Sequence, residues 1–214
     1  MVKDVNFIFK ILSNEFDSKI DTALFYKNNY QLLVAIILSA QMTDKGVNKI
    51  TDKLFSVLSS PEDAIKLGKH KINQYIKTIN YHNVKSEYIV KMSKQLLDNF
   101  NGIVPNKFED LISLAGVGRK TANLVLSIAF KKSKIAVDTH VFRVSNRLGL
   151  AKAKNTLKTE EQLTKNVPST FHRQINNLLI PFGRKYCRAI NPKCEHCPLK
   201  KYCKYKKLNV NFIH

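Results

Sequence analysis

Leu114-Ala115-Gly116-Val117-Gly118-Arg119-Lys120-Thr121-Ala122 is the stretch on which the reading of this chain turns. Leu111 and Leu114 close one short helical pattern, and Val117, Ala122 and Val125 open the apolar face of the next. Two glycines in three residues between helical patterns make a turn, because glycine accepts positive φ and lets backbone approach a ligand closely. A helix that starts at such a turn offers N–H groups without intrahelical partners, at the positive end of its dipole, which suits a phosphate oxygen. A plain αα-hairpin with structural glycines would read the same way over this segment. Two nucleotide motifs fail here. A dinucleotide fingerprint needs a third glycine where Thr121 stands, and a P-loop needs glycine, not Arg119, directly before its lysine.

Outward from the hairpin, Asp138 follows Lys120 by 18 positions, in Ala136-Val137-Asp138-Thr139-His140-Val141-Phe142-Arg143-Val144. A lysine amine can act as a nucleophile and form a Schiff base. Its difficulty is protonation, since a reference pKa near 10.4 leaves only about 0.04% of such amines free at pH 7. A helix N-terminus favours the neutral amine, whereas a nearby carboxylate favours the charged one. Asp138 therefore has two open tasks, taking the lysine proton or stabilising positive charge at the reacting carbon. It is also well placed to cap the helix that follows.

Further on, Cys187-x6-Cys194-x2-Cys197-x5-Cys203 puts every cysteine of the chain within 17 residues. Four thiolates so spaced can wrap one Zn²⁺ or one [4Fe–4S] cluster. Only Cys194 and Cys197 form the close chelating pair usual for zinc, and the wider intervals suit the larger cube. His196 is expected to be exposed rather than ligating, and Arg188, Lys193, Lys200, Lys201 and Lys204 surround the ligands.

The chain has 214 residues, 44% of them apolar, enough for one domain or two small ones. Its formal charge of +20 points to a polyanionic partner, nucleic acid before membrane, although abundant lysine also follows from an AT-rich genome. The apolar run Leu32–Leu38 is too short to span a bilayer. The start Met1-Val2-Lys3-Asp4 has no secretory pattern, so a cytosolic, thiol-reducing location is expected. Helical spacing dominates. Helices are predicted over 5–12, 30–41, from a Thr43-Asp44 cap to about 58, from the Ser60-Pro61-Glu62-Asp63 start, and over 69–79. Others are predicted over 83–100 (stopped by Asn101-Gly102), 107–114, 118–130, 138–148, 159–166 (Thr159 and Gln162 as a capping box) and 169–186. No repeat appears, which excludes a solenoid.

Taken in order, these segments resemble the endonuclease III family of helix-hairpin-helix DNA glycosylases, from about residue 20 to 205. The family's usual hairpin reads leucine-proline-glycine-valine-glycine-arginine-lysine-threonine-alanine. Alanine at 115 replaces its proline, which is expected to loosen the turn. The resemblance implies that Lys120 attacks C1′ of a damaged nucleotide, displaces the base, forms an imine and promotes β-elimination, with Asp138 as the catalytic aspartate. It implies DNA contacts from Gly116, Val117, Gly118, Arg119 and Thr121. Leu38-Ser39-Ala40-Gln41 matches the segment whose glutamine enters the gap left by a flipped base. Around Ile79-Asn80-Tyr81-His82-Asn83 the usual glycine and leucine are Asn80 and Tyr81, and Tyr81 could still stack on a base. The cysteine spacing matches the family's [4Fe–4S] loop at Cys187, Cys194, Cys197 and Cys203.

The implied fold is all-α, with two helical domains, the helix-hairpin-helix, a C-terminal [4Fe–4S] loop and a DNA-binding cleft between the domains. Residues 22–132 would form a helical bundle containing the helix-hairpin-helix at about 107–130. Residues 1–21 with 133–214 would form the cluster domain, Lys120 and Asp138 facing each other across the cleft. The implied function is a bifunctional glycosylase and abasic-site lyase of base excision repair, a monomer acting on oxidised pyrimidines in damaged double-stranded DNA, in the bacterial cytosol and nucleoid. Two rivals stand beside it. An adenine mismatch glycosylase of the same superfamily normally lacks the lysine and keeps a glutamate where Leu32–Leu38 has no carboxylate. A non-catalytic, zinc-stapled DNA-binding module would use the same charge and cysteines.

Overall fold

The computed structural model describes residues 4–16 and 22–205, in which all regular structure is helical and no strand occurs. Two compact units divide the chain, one of Asp21–Lys131 and one of Met1–Ile20 with Lys132–His214. Among the described residues no helix is long and apolar enough to cross a membrane.

The first unit is built around α2 (Asn29–Ser39), which is buried on all sides from Tyr30 to Leu38. A helix apolar all round can only sit in the middle of a bundle. Its one buried amide, Gln31, is satisfied, accepting from Lys27 N–H at 2.9 Å and donating to the Phe55 and Leu58 carbonyls at 3.3 and 3.1 Å. Thr43 caps α3 (Asp44–Leu54), which stops short of the predicted Leu58. Leu58 is nevertheless fully buried, as an anchor beyond the helix.

Ser60 and Asp63 make the predicted capping box at the start of α4 (Pro61–Tyr75). Gly68, at φ 69° and ψ 166°, breaks that helix in two, as the separate patterns before and after 69 implied. α5 (His82–Phe100) ends where Asn101 turns left-handed and the Gly102 N–H closes on the Leu96 carbonyl at 2.9 Å. α6 (Phe108–Ser113) and α7 (Arg119–Ile128) follow, with Leu111, Leu114, Val117, Ala122 and Val125 joining the core of α2.

The second unit takes α1 (Val5–Glu15) from one end of the chain and its remaining helices from the other. Ile8, Phe9 and Leu12 of α1 are fully buried among side chains of α8 (Thr139–Leu148), α9 (Thr156–Asn166) and α11 (Ile175–Lys185). Two predicted helices differ. α9 begins at Thr156 under an Asn155 cap; Thr159 instead bonds back to the Asn155 carbonyl, and Gln162 ties down the Lys152 backbone. The helix expected over 169–186 is split into α10 (Ser169–His172) and α11. The buried His172 side chain holds α10 in place, bonding the Val167 carbonyl and the Ser133 hydroxyl at 2.8 and 2.9 Å.

Candidate functional site

The hairpin is formed by α6, a turn closed by Val117 N–H on the Leu114 carbonyl at 3.1 Å, and α7. Its two glycines have different reasons. Gly116 sits at φ 77°, and a Cβ there would lie 2.9 Å from the Tyr88 side chain. Gly118 has an ordinary extended backbone (φ −89°, ψ 175°), and a Cβ there would meet nothing within 4 Å. Positive φ therefore explains only the first of them. Gly118 is the N-cap of α7 and provides no side-chain acceptor, so the first turn of α7 presents its amides outward. Gly118, Arg119 and Lys120 are exposed and Val117 is buried beneath them. The Arg119 guanidinium lies over the Phe108 ring at 4.8 Å.

These differences separate two substitutions. Gly116→Ala is expected to lower folding stability by about 1–3 kcal/mol, from strained φ and the Tyr88 contact. Gly118→Ala is expected to leave the melting temperature nearly unchanged yet weaken DNA binding by about tenfold or more, because its Cβ intrudes only when backbone meets a ligand. Equal binding by Gly118→Ala and the wild type would show that no phosphate approaches there.

Alanine at 115 does not loosen the turn. It brings an N–H that proline lacks, and Gln95 Oε1 accepts it at 2.7 Å while Gln95 Nε2 donates to the Ser113 carbonyl at 3.0 Å. One side chain from α5 thus clasps both sides of the turn. Leu114 is already extended (φ −78°, ψ 141°), the conformation a following proline requires. Gln95→Ala is expected to cost about 1 kcal/mol, and Ala115→Pro to recover most of that loss in the Gln95→Ala background. Additive effects in that double-mutant cycle would sink the explanation.

In the second unit, Asp138 is the N-cap of α8, its Oδ1 accepting the Val141 N–H at 2.7 Å. The other oxygen lies 3.7 Å from His140 Nδ1, beyond hydrogen-bond distance. Burial holds the His140 imidazole below the usual histidine range, against the pull of Asp138 and with the help of Arg143 and Arg184. Burial thus favours the uncharged ring. Capping uses Oδ1 and not Oδ2.

Gln41 and Tyr81 are both exposed and both left-handed, at φ 58° and 61°. Gln41 follows α2 and Tyr81 precedes α5, and the Asn80 side chain joins the two turns through a 2.8 Å bond to the Gln41 carbonyl.

The four cysteines are all partly buried and line one pocket with Leu148, Phe182, Tyr186 and Pro192. Among the described residues no three His, Cys, Asp or Glu side chains converge closely enough for a single ion. All four cysteines line the same pocket, an arrangement that fits the four-thiolate ligation of a cluster. Burial pushes the Cys197 thiol up to about 11 and raises Cys187 as well. The loop hangs from α8. Arg143 Nε donates to the Cys187 carbonyl at 2.9 Å, and Arg147 donates to the Arg188 and Ala189 carbonyls at 2.6 and 3.1 Å. His196 is exposed, as are Arg188, Lys193, Lys200, Lys201 and Lys204.

Residues 34–169 match the model of the HhH-GPD superfamily of base excision DNA repair proteins, and residues 187–203 match the iron–sulfur binding domain of endonuclease III. Endonuclease III of Haemophilus influenzae is 49% identical over 86% of this chain and 88% of that protein. That of Escherichia coli is 45% identical over the same shares. The chain belongs to the endonuclease III family. A solved structure of a trapped endonuclease III–DNA covalent intermediate superimposes with a TM-score of 0.89 and 37% identity, over 98% of this chain and 99% of that one. A thermostable thymine-DNA glycosylase does so with a TM-score of 0.86 and 27% identity, over 96% of this chain and 98% of that one. The family's cofactor, a [4Fe–4S] cluster, is the cofactor of this chain, and a zinc staple is set aside.

Proposed function

We propose that this endonuclease III family member removes oxidised pyrimidines from double-stranded DNA and then cuts the strand, with Lys120 as nucleophile and Asp138 as its acid–base partner. It is a DNA glycosylase and abasic-site lyase of base excision repair. The observation that carries the residue assignment is the exposed amine of Lys120 in the first turn of α7, directly after a glycine N-cap. Backbone amides there hold a DNA phosphate, and the amine beside them attacks C1′. The bond from C1′ to the base breaks and the sugar opens to an imine on Lys120. Loss of a C2′ proton then expels the 3′ phosphate, and water releases the lysine.

Asp138 takes the amine proton or balances positive charge at C1′ with the oxygen that capping leaves available. Gln41 and Tyr81 fill the space vacated by the extruded nucleotide, which otherwise costs a few kcal/mol in lost stacking. Cys187, Cys194, Cys197 and Cys203 hold the cluster, which when bound fixes the loop carrying Lys193, Lys200 and Lys201 toward DNA. The protein acts as a monomer.

Asp138→Asn tests the acid–base role cleanly, because asparagine caps a helix as well as aspartate does. Base removal is expected to slow by about 10²–10⁴-fold with stability and DNA affinity retained. Near-normal turnover in a single-turnover assay would leave Asp138 a helix cap and nothing more.

A further inference from the structure

Lys85 is a buried cation that the chemistry above does not use. Its residue is only 5% exposed, and burial holds its amine below the usual lysine range. Its hydrogen bonds run to two backbone carbonyls, Leu38 at 2.9 Å and Ala40 at 2.7 Å. The Leu38 carbonyl lies in the last turn of α2 and the Ala40 carbonyl in the turn that follows it. In that turn Met42 N–H closes on the Ser39 carbonyl at 3.0 Å, with Ala40 at φ −57°, ψ 118° and Gln41 at φ 58°. This is a type II turn carrying glutamine at the position that ordinarily needs glycine. Tyr81, at the neighbouring turn, is equally left-handed, and Asn80 bonds the Gln41 carbonyl from beside it.

Two exposed side chains are thus held in locally disfavoured backbone by three hydrogen bonds from only two residues. Fold stability alone would be better served by glycine at 41 and an apolar side chain at 85, since a desolvated ammonium is costly. We propose that Lys85 and Asn80 are positioning residues that lock Gln41 and Tyr81 into one rigid double tip, set before DNA arrives. Ordering two separate loops at the moment of insertion would raise the barrier to nucleotide extrusion, and a prefixed tip avoids that. The proposal rests on Gln41 and Tyr81 being the inserting side chains. Asn80 is where this chain departs from the family's usual glycine, so the Gln41 bond is one that a glycine could not make.

The test uses the full chain with its cluster and two duplexes carrying one thymine glycol, one fully paired and one with mismatches flanking the lesion so that it is already unstacked. Lys85→Met keeps the stem and removes the cation; Asn80→Gly, at an exposed position, keeps the test open if the core rejects methionine. On the paired duplex, single-turnover base removal is expected to fall about 10–100-fold for Lys85→Met and about 3–10-fold for Asn80→Gly. On the unstacked duplex both should come within about twofold of wild type. A 2-aminopurine beside the lesion should brighten promptly with wild type and slowly with the variants. Equal losses on both duplexes would mark the residues as merely structural and overturn the proposal, as would wild-type rates on both. Wild-type protein inert on both duplexes would instead overturn the functional reading, and this proposal with it.

Discussion

Lys120→Gln is expected to abolish the covalent adduct that borohydride traps between this protein and abasic or oxidised-pyrimidine duplex. An imine needs an amine; a carboxamide nitrogen, its lone pair delocalised, cannot form one, so the loss should be complete rather than graded. Strand cleavage should fall by roughly 10³-fold or more, as when a covalent nucleophile is removed. Binding should persist within about tenfold, because one charge among many phosphate contacts changes the salt slope by only about 0.9. The substitution sits at an exposed position in the first turn of α7, so folding is little affected. Trapping by the variant at the wild-type rate would mean that another amine does the chemistry.

Cys194→Ser should have the second large effect, losing the cluster's visible absorption and loosening residues 187–205. Leu199 is the one fully buried side chain of that segment. Burying a leucine contributes about 1.5–3 kcal/mol, which offsets the ordering of only one or two residues. Partial burial of Cys187, Cys197, Tyr202 and Cys203 and the arginines of α8 add to this, and the cluster is expected to supply the rest. Hydrogen exchange should accelerate across 187–205 while α8 and α11 stay protected by their shared core. Full iron content with unchanged exchange would remove Cys194 from the ligand set.

Much of this was legible in the chain before any coordinates. The hairpin announced itself through two glycines between helical patterns, and the cysteines through spacing, because both signals are local. Asp138 as a cap was equally visible, since capping involves residues three apart. What escaped notice depends on contacts across helices. Gln95 lies 20 positions from the alanine it supports, and in sequence it is an ordinary polar residue on α5. Lys85 lies 47 positions from the Leu38 carbonyl, and a lysine in a helix suggests solvent until the fold buries it. Gly118 misled in the opposite direction, since a glycine beside Gly116 invites the same conformational reason and the backbone gives it another. The split before α11 was hidden too, because His172 acts through Ser133, 39 positions away, whereas the Asn155 cap that starts α9 is local and was passed over for Thr159.

The division of the second unit between the two ends of the chain bears on how it is made. A ribosome releases α1 before α8, α9 and α11, with Ile8, Phe9 and Leu12 bare of the helices that will cover them. At synthesis rates of about 5–20 residues per second, roughly 10–30 s pass before α11 emerges. Meanwhile the intervening bundle, contiguous from Asp21 to Lys131, can fold to completion. The nascent chain can therefore carry a finished hairpin while α1 is still an unpaired segment. The apolar face of α1 therefore stays uncovered until α8, α9 and α11 have been made.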